Sequence, residues 1–268
     1  MKSSNTVLKI VTGGYILLFF VYLFLPLAFM AIVAFNTSSI PQVTPWEGFT
    51  LKWFGELFGD SQMWDSLINS LIVAVFVVII SVPIGLGASL LLTRMQFKAR
   101  EGLYAILVSP LLMPGIILGI STFLFWDRAF FISGGLWTAI MGQSTFISGY
   151  CMLLIMARSQ RFDKTQEDAA FDLGANHRQV FWKITLPFLK PALISAAALA
   201  FMQSFENYNT TLFAIGFEQT LPIYIGTKLR AFISPAMNAL ACIFIGLTVT
   251  GAAVYEVMRR REIRRKQG

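Results

Sequence analysis

Six stretches of this chain are long enough and apolar enough to cross a lipid bilayer. A spanning helix needs about 20 mostly apolar residues, because its backbone must satisfy its own hydrogen bonds across the hydrocarbon. The predicted spans cover residues 10–35, 67–92, 103–126, 137–157, 191–217 and 237–258. The sequence therefore predicts an all-α, polytopic membrane protein with six transmembrane helices. We expect residues 1–268 to form a single transmembrane domain with its core at residues 65–258.

The composition favours a membrane protein over the soluble classes that a basic chain can suggest. Hydrophobic residues make up 56% of the chain and charged residues only 13%. The formal net charge of +7 could indicate nucleic-acid binding, but the basic residues flank apolar segments and do not share a polar domain. We therefore expect contact with membrane lipid and no nucleic-acid partner.

The basic residues lie on alternate sides of the predicted spans. Cytoplasmic loops retain positive charge, and all but four of the 21 basic residues lie on the face that carries both termini. The exceptions are Lys52, Arg128, Lys228 and Arg230. We predict a multi-pass protein of the bacterial inner membrane with both termini in the cytoplasm.

The longest polar segment lies between the fourth and fifth predicted spans, on the predicted cytoplasmic face. It covers residues 158–190, and its central part reads EDAAFDLGANHRQVFWKITLP. A connection between neighbouring spans needs only a few residues. A solvated connector is one interpretation, but apolar residues recur through the segment, which is typical of a docking surface.

Helix-capping residues divide this segment into two short predicted helices. Thr165, followed three residues later by Asp168, predicts a capping box at the start of the first helix. Gly174 can adopt the left-handed conformation that ends it. Asn176 and Gln179 predict a second capping box, and we expect the second helix to end before Pro187.

The same segment resembles the cytoplasmic loop signature of ATP-binding-cassette (ABC) importer permeases. That signature is Glu-Ala-Ala, three residues, Gly, nine residues, then Ile-x-Leu-Pro. Seven positions match it at the right spacing: Asp168, Ala169, Ala170, Gly174, Ile184, Leu186 and Pro187. Asp168 replaces the usual glutamate, and Glu167 precedes it. The resemblance implies that these residues, with Glu167, couple the spans to an ATPase subunit on which the loop docks.

The resemblance also implies a type I importer fold and a set of partners. The chain has no G-x-x-x-x-G-K-[ST] loop to hold ATP phosphates. We therefore expect a transport subunit that is not an enzyme and binds no cofactor itself, with ATP and Mg held by partner ATPase subunits. The expected partners are a homologous permease subunit, two ATP-binding subunits and an external solute-binding protein.

Three longer stretches resemble the second permease subunit of spermidine/putrescine importers. They read WEGFTLKWFGELF, LGANHRQVFWKITLPFLKPAL and TLPIYIGTKLRAFISPAMNALA. In that branch the fifth span often carries two acids after a serine, whereas here Glu206 and Asn207 follow Ser204 and Phe205. The resemblance implies a polyamine substrate, and the single carboxylate leaves another small amine or an amino-acid-like solute open.

Glu206 is the acid that lies clearly inside a predicted span. An ionisable group there is costly, and it usually faces a cavity or pairs internally. We predict a substrate path at Ser204, Glu206, Asn207 and Tyr208, where the carboxylate would meet a cationic solute. The alternative is a structural role, with Glu206 reaching water at the outer boundary or pairing with a basic residue.

Other functions fit the residues less well. A stand-alone secondary transporter usually has more buried charge and inverted repeats, and a membrane enzyme would have clustered reactive groups. Cys151 and Cys242 lie in apolar runs and are expected to pack as small hydrophobic residues. His177 is the only histidine, so we predict no metal site.

Overall fold

The structure, a computed structural model, describes residues 2–95, 98–231 and 234–267, although not the side chains of residues 2–7, 10 and 262–267. Within these ranges the chain is helical, and its extended pairing is limited to an isolated bridge between Asn36 and Phe49. The helices in chain order are α1 (Lys2–Phe35), α2 (Lys52–Gly59), α3 (Ser61–Arg94), α4 (Arg100–Val108), α5 (Gly115–Phe130), α6 (Leu136–Ser159), α7 (Thr165–Asp172), α8 (His177–Val180), α9 (Leu186–Phe205), α10 (Asn209–Ala214), α11 (Leu221–Ala231) and α12 (Pro235–Gln267).

The chain forms two compact units, of which the smaller joins the two ends of the sequence. It comprises Met1–Met63 and Ile225–Gly268. In this unit α12 packs against both α1 and the short helix α2. The indole Nε1 of Trp53 on α2 donates a 2.7 Å hydrogen bond to the backbone oxygen of Asn36 just after α1, so α2 is fastened to the end of the first span.

The larger unit, Trp64–Tyr224, is built around α6. This helix packs against α5, α9 and α10, and its buried face shares an apolar core with α3 and α9. Close approach between helices needs glycine, as at Gly85 of α3 and Gly119 of α5. A Cβ at Gly85 would lie 2.6 Å from Cβ of Cys151, and a Cβ at Gly119 would lie 2.4 Å from the backbone oxygen of Thr210. Cys151 therefore packs as a small apolar residue in this core.

Four of the six predicted spans lie within single long helices. These are the first, second, fourth and sixth spans, which fall inside α1, α3, α6 and α12. Each apolar stretch is continuous in the sequence, and no break interrupts the helix that contains it. The apolar length thus sufficed to predict these helices. They differ from the predicted spans only at their ends, where the helices are longer.

The third predicted span is a bent pair of helices. Residues Arg100–Leu112 and Gly115–Phe130 meet at 106°. Pro110 and Pro114 lack the backbone N–H that a continuing helix requires. Met113 has extended torsion angles, as expected for the residue before a proline. The polypeptide chain therefore changes direction between α4 and α5.

The fifth predicted span is also displaced. The sequence predicts it at residues 191–217, but the helix ends at Phe205. Towards the N-terminus the helix extends without a break to His177, through a π turn at Phe181–Thr185. The second loop helix therefore does not end before Pro187. A π turn immediately before this proline accommodates its missing N–H, so loop and span form one 29-residue helix.

Candidate functional site

The polar segment between α6 and α9 contains two short helices, but the first one is capped by Asp163 and not by the predicted Thr165. Thr165 is already helical, and its backbone N–H donates a 3.0 Å hydrogen bond to Oδ1 of Asp163. The predicted Thr165–Asp168 capping box is therefore wrong. Hydrogen bonds from Thr165 lower the pKa of the Asp163 carboxyl, which keeps it charged beside the positive end of α7.

Gly174 closes α7 in the left-handed conformation that the sequence predicted. Its φ is +83°, and its N–H donates to the backbone oxygen of Phe171 at 2.8 Å. The N–H of Ala175 donates to the backbone oxygen of Ala170 at 3.0 Å. These two bonds form a Schellman motif, which sets the angle at which the chain leaves α7.

The second helix begins at the predicted capping box. The Asn176 side chain accepts from the Gln179 N–H at 2.9 Å, and the Gln179 side chain accepts from the Asn176 N–H at the same distance. The rings of Phe171 and His177 meet edge to face at 4.8 Å. This contact holds α7 against α8 across Gly174, a role for the histidine that the sequence did not indicate.

The loop turns one set of its residues outward and packs another set inward. Leu173 is 89% exposed and Trp182 is 58% exposed, while Val180 and Thr185 are buried. Among the residues of the matched signature, Asp168, Ala169, Gly174 and Pro187 are exposed, whereas Ala170, Ile184 and Leu186 are partly buried. We call the outward surface around Asp168, Ala169, Leu173, Gly174 and Trp182 the docking face.

Glu167 does not belong to the docking face, because it points inward to a basic residue at the end of α3. Nη2 of Arg94 lies 2.7 Å from its Oε1, and Nη1 lies 3.1 Å from its Oε2. The hydroxyl of Thr185, in the π turn, donates to the same Oε1. Sequence reasoning counted Arg94 only as an orientation charge and did not identify Thr185.

A cavity of about 310 Å³ opens beside the break between α9 and α10. Among the described residues that line it, Glu206 is the only one with a carboxylate, and none has a basic side chain, so the described lining carries a negative charge. The polar side contains Gln203, Glu206, Asn207, Tyr208, Asn209 and Thr210, and Phe146 and Tyr150 of α6 supply aromatic surface. Such a wall suits a cation with an apolar body.

Glu206 lies at a helix end and not inside the span that was predicted for it. It caps α9, it is exposed to the cavity, and among the described residues its carboxylate forms no ion pair at salt-bridge distance. Its one side-chain hydrogen bond within the described residues is accepted from Nε2 of Gln203 at 3.4 Å. The pairing alternative therefore finds no basic partner in the described part of the chain.

Ser204 is the one predicted path residue that does not line the cavity. It is 4% exposed, and its hydroxyl donates a 2.5 Å hydrogen bond to Oε1 of Gln143 on α6. Nε2 of Gln143 donates in turn to Oγ1 of Thr211 at 2.7 Å, and that hydroxyl donates to Oδ1 of Asn207 at 3.0 Å. Ser204 is therefore linked to the cavity residue Asn207 through buried hydrogen bonds with Gln143 and Thr211.

The same polar chain explains why the helix breaks after Phe205. Oδ1 of Asn207 also accepts from the backbone N–H of Thr211 at 3.2 Å, which gives α10 a side-chain acceptor at its start. An asparagine that bonds the backbone in this way competes with the helix. The apolar pattern of the sequence continues across this point and could not reveal the break. Gln143 could have been noticed only as a polar residue inside an apolar span.

Replacing Gln143 by leucine is expected to destabilise the protein by about 2 kcal/mol, because buried hydroxyl groups on two helices lose their partner. The midpoint of thermal unfolding of the purified protein would fall. Thr145→Val is the matched control, since that exposed hydroxyl bonds only to the preceding turn of its own helix. Equal midpoints for the two variants would contradict the assigned role of Gln143.

The described residues contain no group of three His, Cys, Asp or Glu side chains that could hold a metal ion. Both sites offer charge, hydrogen bonding and apolar contact. The loop offers an exposed surface on a rigid turn, and the cavity offers one carboxylate among amides and aromatic rings.

Comparison with known proteins finds a matching family and similar permease proteins. Residues 81–264 match the model of the family described as binding-protein-dependent transport system inner membrane component. The putrescine transport system permease protein PotI of Escherichia coli K12 is 32% identical over 93% of this chain and 91% of its own length. The spermidine/putrescine transport system permease protein PotC of the same strain is 26% identical over 97% of this chain and 98% of its own length.

Solved structures support the same fold. A chain of a bacterial ABC transporter that imports the acidic polysaccharide alginate superposes with a TM-score of 0.72, at 19% identity, covering 96% of this chain and 97% of that one. A chain of the MetNI methionine ABC transporter superposes with a TM-score of 0.59, at 18% identity, covering 79% of this chain and 98% of that one.

Proposed function

Because the chain belongs to the family of binding-protein-dependent transport system inner membrane components, a permease family and not an enzyme family, we propose that it forms half of the translocation path for polyamines or related small organic amines. The putrescine and spermidine named for its relatives support this substrate class. The cavity beside Glu206 is the observation that carries it, since the lining has one carboxylate and no basic residue.

The chemistry of a diamine fits this cavity in two respects. One ammonium group meets the Glu206 carboxylate, and the methylene chain lies on the aromatic surface of Phe146 and Tyr150. Asn207 and Tyr208 complete the substrate path, while Ser204 contributes by holding Asn207 through Gln143. A second ammonium group then needs an acceptor outside this lining, which the homologous permease supplies across a shared path.

A solute with one amino group is the second candidate substrate. The Oδ1 atom of Asn207 already accepts two hydrogen bonds from Thr211, so the amide leaves its NH₂ group for other contacts. A carboxylate and an amide donor side by side complement an amino-acid-like solute. Transport assays that compare a diamine with an amino acid of similar length separate the two candidates.

The partners follow from the division of labour in such a system. We propose that the chain assembles with a homologous permease subunit, two ATP-binding subunits and an external solute-binding protein, and that ATP and Mg are held by the ATP-binding subunits. Both termini and the docking face lie in the cytoplasm in this arrangement, in agreement with the distribution of basic residues. Glu206 then faces the outer half of the membrane.

The coupling residues are Asp168, Ala169, Ala170 and Gly174 in the first loop helix and turn, with Glu167, Ile184, Leu186 and Pro187 positioning them. The docking face inserts into the ATPase subunit, and Leu173 and Trp182 supply its apolar contact. Since the second loop helix and the fifth span are one helix of 29 residues, about 43 Å at 1.5 Å per residue, a shift of that loop helix reaches the break at Glu206.

Replacing Leu173 by aspartate is expected to weaken binding of the ATPase subunit about tenfold, because a charge then occupies the apolar centre of the contact. The measurement is the amount of ATPase subunit that co-purifies with the tagged permease pair. Leu173→Met keeps the volume and apolar character and should co-purify normally. Normal co-purification of Leu173→Asp would contradict docking by this face.

A further inference from the structure

We propose that Arg94, Glu167 and Thr185 form a latch that positions the loop helix α7 relative to the second and fifth spans, and that the latch makes ATP hydrolysis productive. The proposal rests on the proposed coupling function of the loop and adds positioning residues to it. The latch joins three elements: the last residue of α3, the first turn of α7 and the π turn before α9.

The geometry of the latch is that of a strong, partly buried ion pair. The guanidinium of Arg94 meets both oxygens of Glu167 in the two-point arrangement that arginine allows and lysine does not. Only 12% of the Glu167 side chain is exposed, against 32% for Arg94. Nη2 of Arg94 also donates to Oγ1 of the buried Thr185 at 3.3 Å, so the carboxylate is held from two sides.

Aromatic rings extend the latch to the end of the fourth span. The guanidinium of Arg94 lies 5.7 Å from the ring centre of Phe162, just beyond α6, and that ring meets the ring of Phe188 on α9 at 5.0 Å. Arg158 of α6 stacks on Phe188 at 4.6 Å, and its Nε donates a 2.6 Å hydrogen bond to the Phe188 backbone oxygen. At this end, α3, α6 and α9 are therefore joined by two cations with two contacting rings between them.

The two neighbouring acids of the loop have separate tasks in this arrangement. Glu167 faces inward and has its oxygens occupied by Arg94 and Thr185, so it is not free to contact an ATPase subunit. Asp168 is exposed on the docking face. The aspartate therefore makes the outward contact despite its shorter side chain, and the glutamate before it fixes the orientation of the helix that carries it.

A force applied to α7 by a docked partner passes to two spans through this latch. The Gly174 turn connects α7 to α8 only by the backbone and one ring contact, whereas the latch connects α7 to the end of α3 and to the π turn by charged hydrogen bonds. Without the latch, α7 can pivot at Gly174 while the spans stay in place. ATP hydrolysis would then continue with less solute carried.

A double-mutant cycle tests the latch in the complete complex reconstituted in lipid vesicles. The variants are Arg94→Gln, Glu167→Gln and both together, and the readout is radiolabelled putrescine taken up per ATP hydrolysed. We expect each single variant to lower this ratio about tenfold, within the usual range of coupling between distant sites. The double variant should be no worse than Arg94→Gln, because both residues act through one interaction.

Three further measurements separate positioning from simple loss of structure. The ATPase subunit should co-purify normally with all three variants, and amide hydrogen exchange in residues 165–172 should be faster than in the unmodified complex. Arg94→Lys retains the charge but not the two-point geometry, and should be intermediate. Glu256→Gln removes a 2.6 Å ion pair within a single helix and should leave the ratio unchanged.

The outcomes distinguish the latch from the coupling function beneath it. If Leu173→Asp abolishes co-purification while Arg94→Gln and Glu167→Gln keep the normal ratio and exchange rate, the loop docks but the latch is wrong. If Leu173→Asp has no effect on assembly or uptake, the coupling function itself is wrong. Effects of the two glutamine variants that multiply in the double variant would also overturn the latch.

Discussion

Replacing Gly174 with valine is expected to abolish solute uptake while the spans still fold and insert. The backbone at Gly174 has a φ of +83°, where a Cβ costs about 1–2 kcal/mol and a β-branched side chain costs more. Nothing lies within 4 Å of a Cβ built at this position. The penalty is therefore conformational: valine removes the Schellman turn, and the docking face is presented at another angle.

Two readouts in reconstituted vesicles check this prediction: uptake of radiolabelled putrescine and the rate of ATP hydrolysis. Hydrolysis by the assembled complex should continue without uptake. Gly174→Asn is the matched control, because asparagine tolerates the left-handed conformation and should retain most of the uptake. If asparagine and valine reduced uptake equally, the space above Gly174 in the docked complex would matter and the backbone conformation would not.

Replacing Glu206 with glutamine is expected to reduce uptake of a diamine roughly thirtyfold at low concentration, since a hydrogen bond to a charged partner contributes about 2 kcal/mol. The substitution keeps the shape of the side chain and the contact with Gln203, so that only the negative charge is lost. The initial rate of putrescine uptake measures the effect. A neutral solute of similar size should gain relative to the diamine.

Glu218→Gln is the control for this substitution. That acid is exposed in the same half of the sequence, but it does not line the cavity, and its loss should leave uptake unchanged. Rates for diamines and monoamines that are the same in Glu206→Gln as in the unmodified protein would show that the carboxylate is not part of the path. A larger effect on an amino acid than on putrescine would favour the second candidate substrate.

The two predictions concern opposite ends of one helix. The loop helix α8, the π turn and α9 form one continuous helix. Gly174 lies just before the start of this helix, and Glu206 lies at its end. The latch residue Thr185 is near the loop end of this continuous helix. At the opposite end, Ser204 bonds to Gln143 and so connects the helix to α6. One rigid element thus joins the docking face to the cavity wall.

The order of polar and apolar residues predicted most of the helices and the position of the loop. Apolar length alone identified α1, α3, α6 and α12, because a membrane helix must satisfy its backbone internally wherever it lies in the fold. The left-handed Gly174 and the Asn176–Gln179 capping box were also predictable, since each depends on residues within one turn. Local chemistry sufficed for these features.

Features that depend on distant partners were missed or misplaced. The fifth span was predicted to pass through Glu206 because the apolar pattern does not stop there, yet the helix ends where Asn207 bonds to Thr211, whose hydroxyl also accepts from Gln143 of α6. Arg94 and Glu167 are 73 residues apart, and no spacing rule relates them. Ser204 was placed in the path for its polarity, but Gln143 of another helix decides which way its hydroxyl points.

The sequence by itself determined that this is a helical membrane protein with a capped loop between two spans, because hydropathy and turn residues act over short distances, and the spacing of the loop signature resembles that of importer permeases. Only the tertiary structure decided which of the paired acids Glu167 and Asp168 faces outward, and that loop and span are one helix. It also placed Glu206 at the edge of a cavity. For Glu167 the physical reason is that a buried polar group is oriented by whichever partner packing brings to it, and Arg94 lies 73 residues away. For Glu206 it is that residues of other helices supply the rest of the cavity lining.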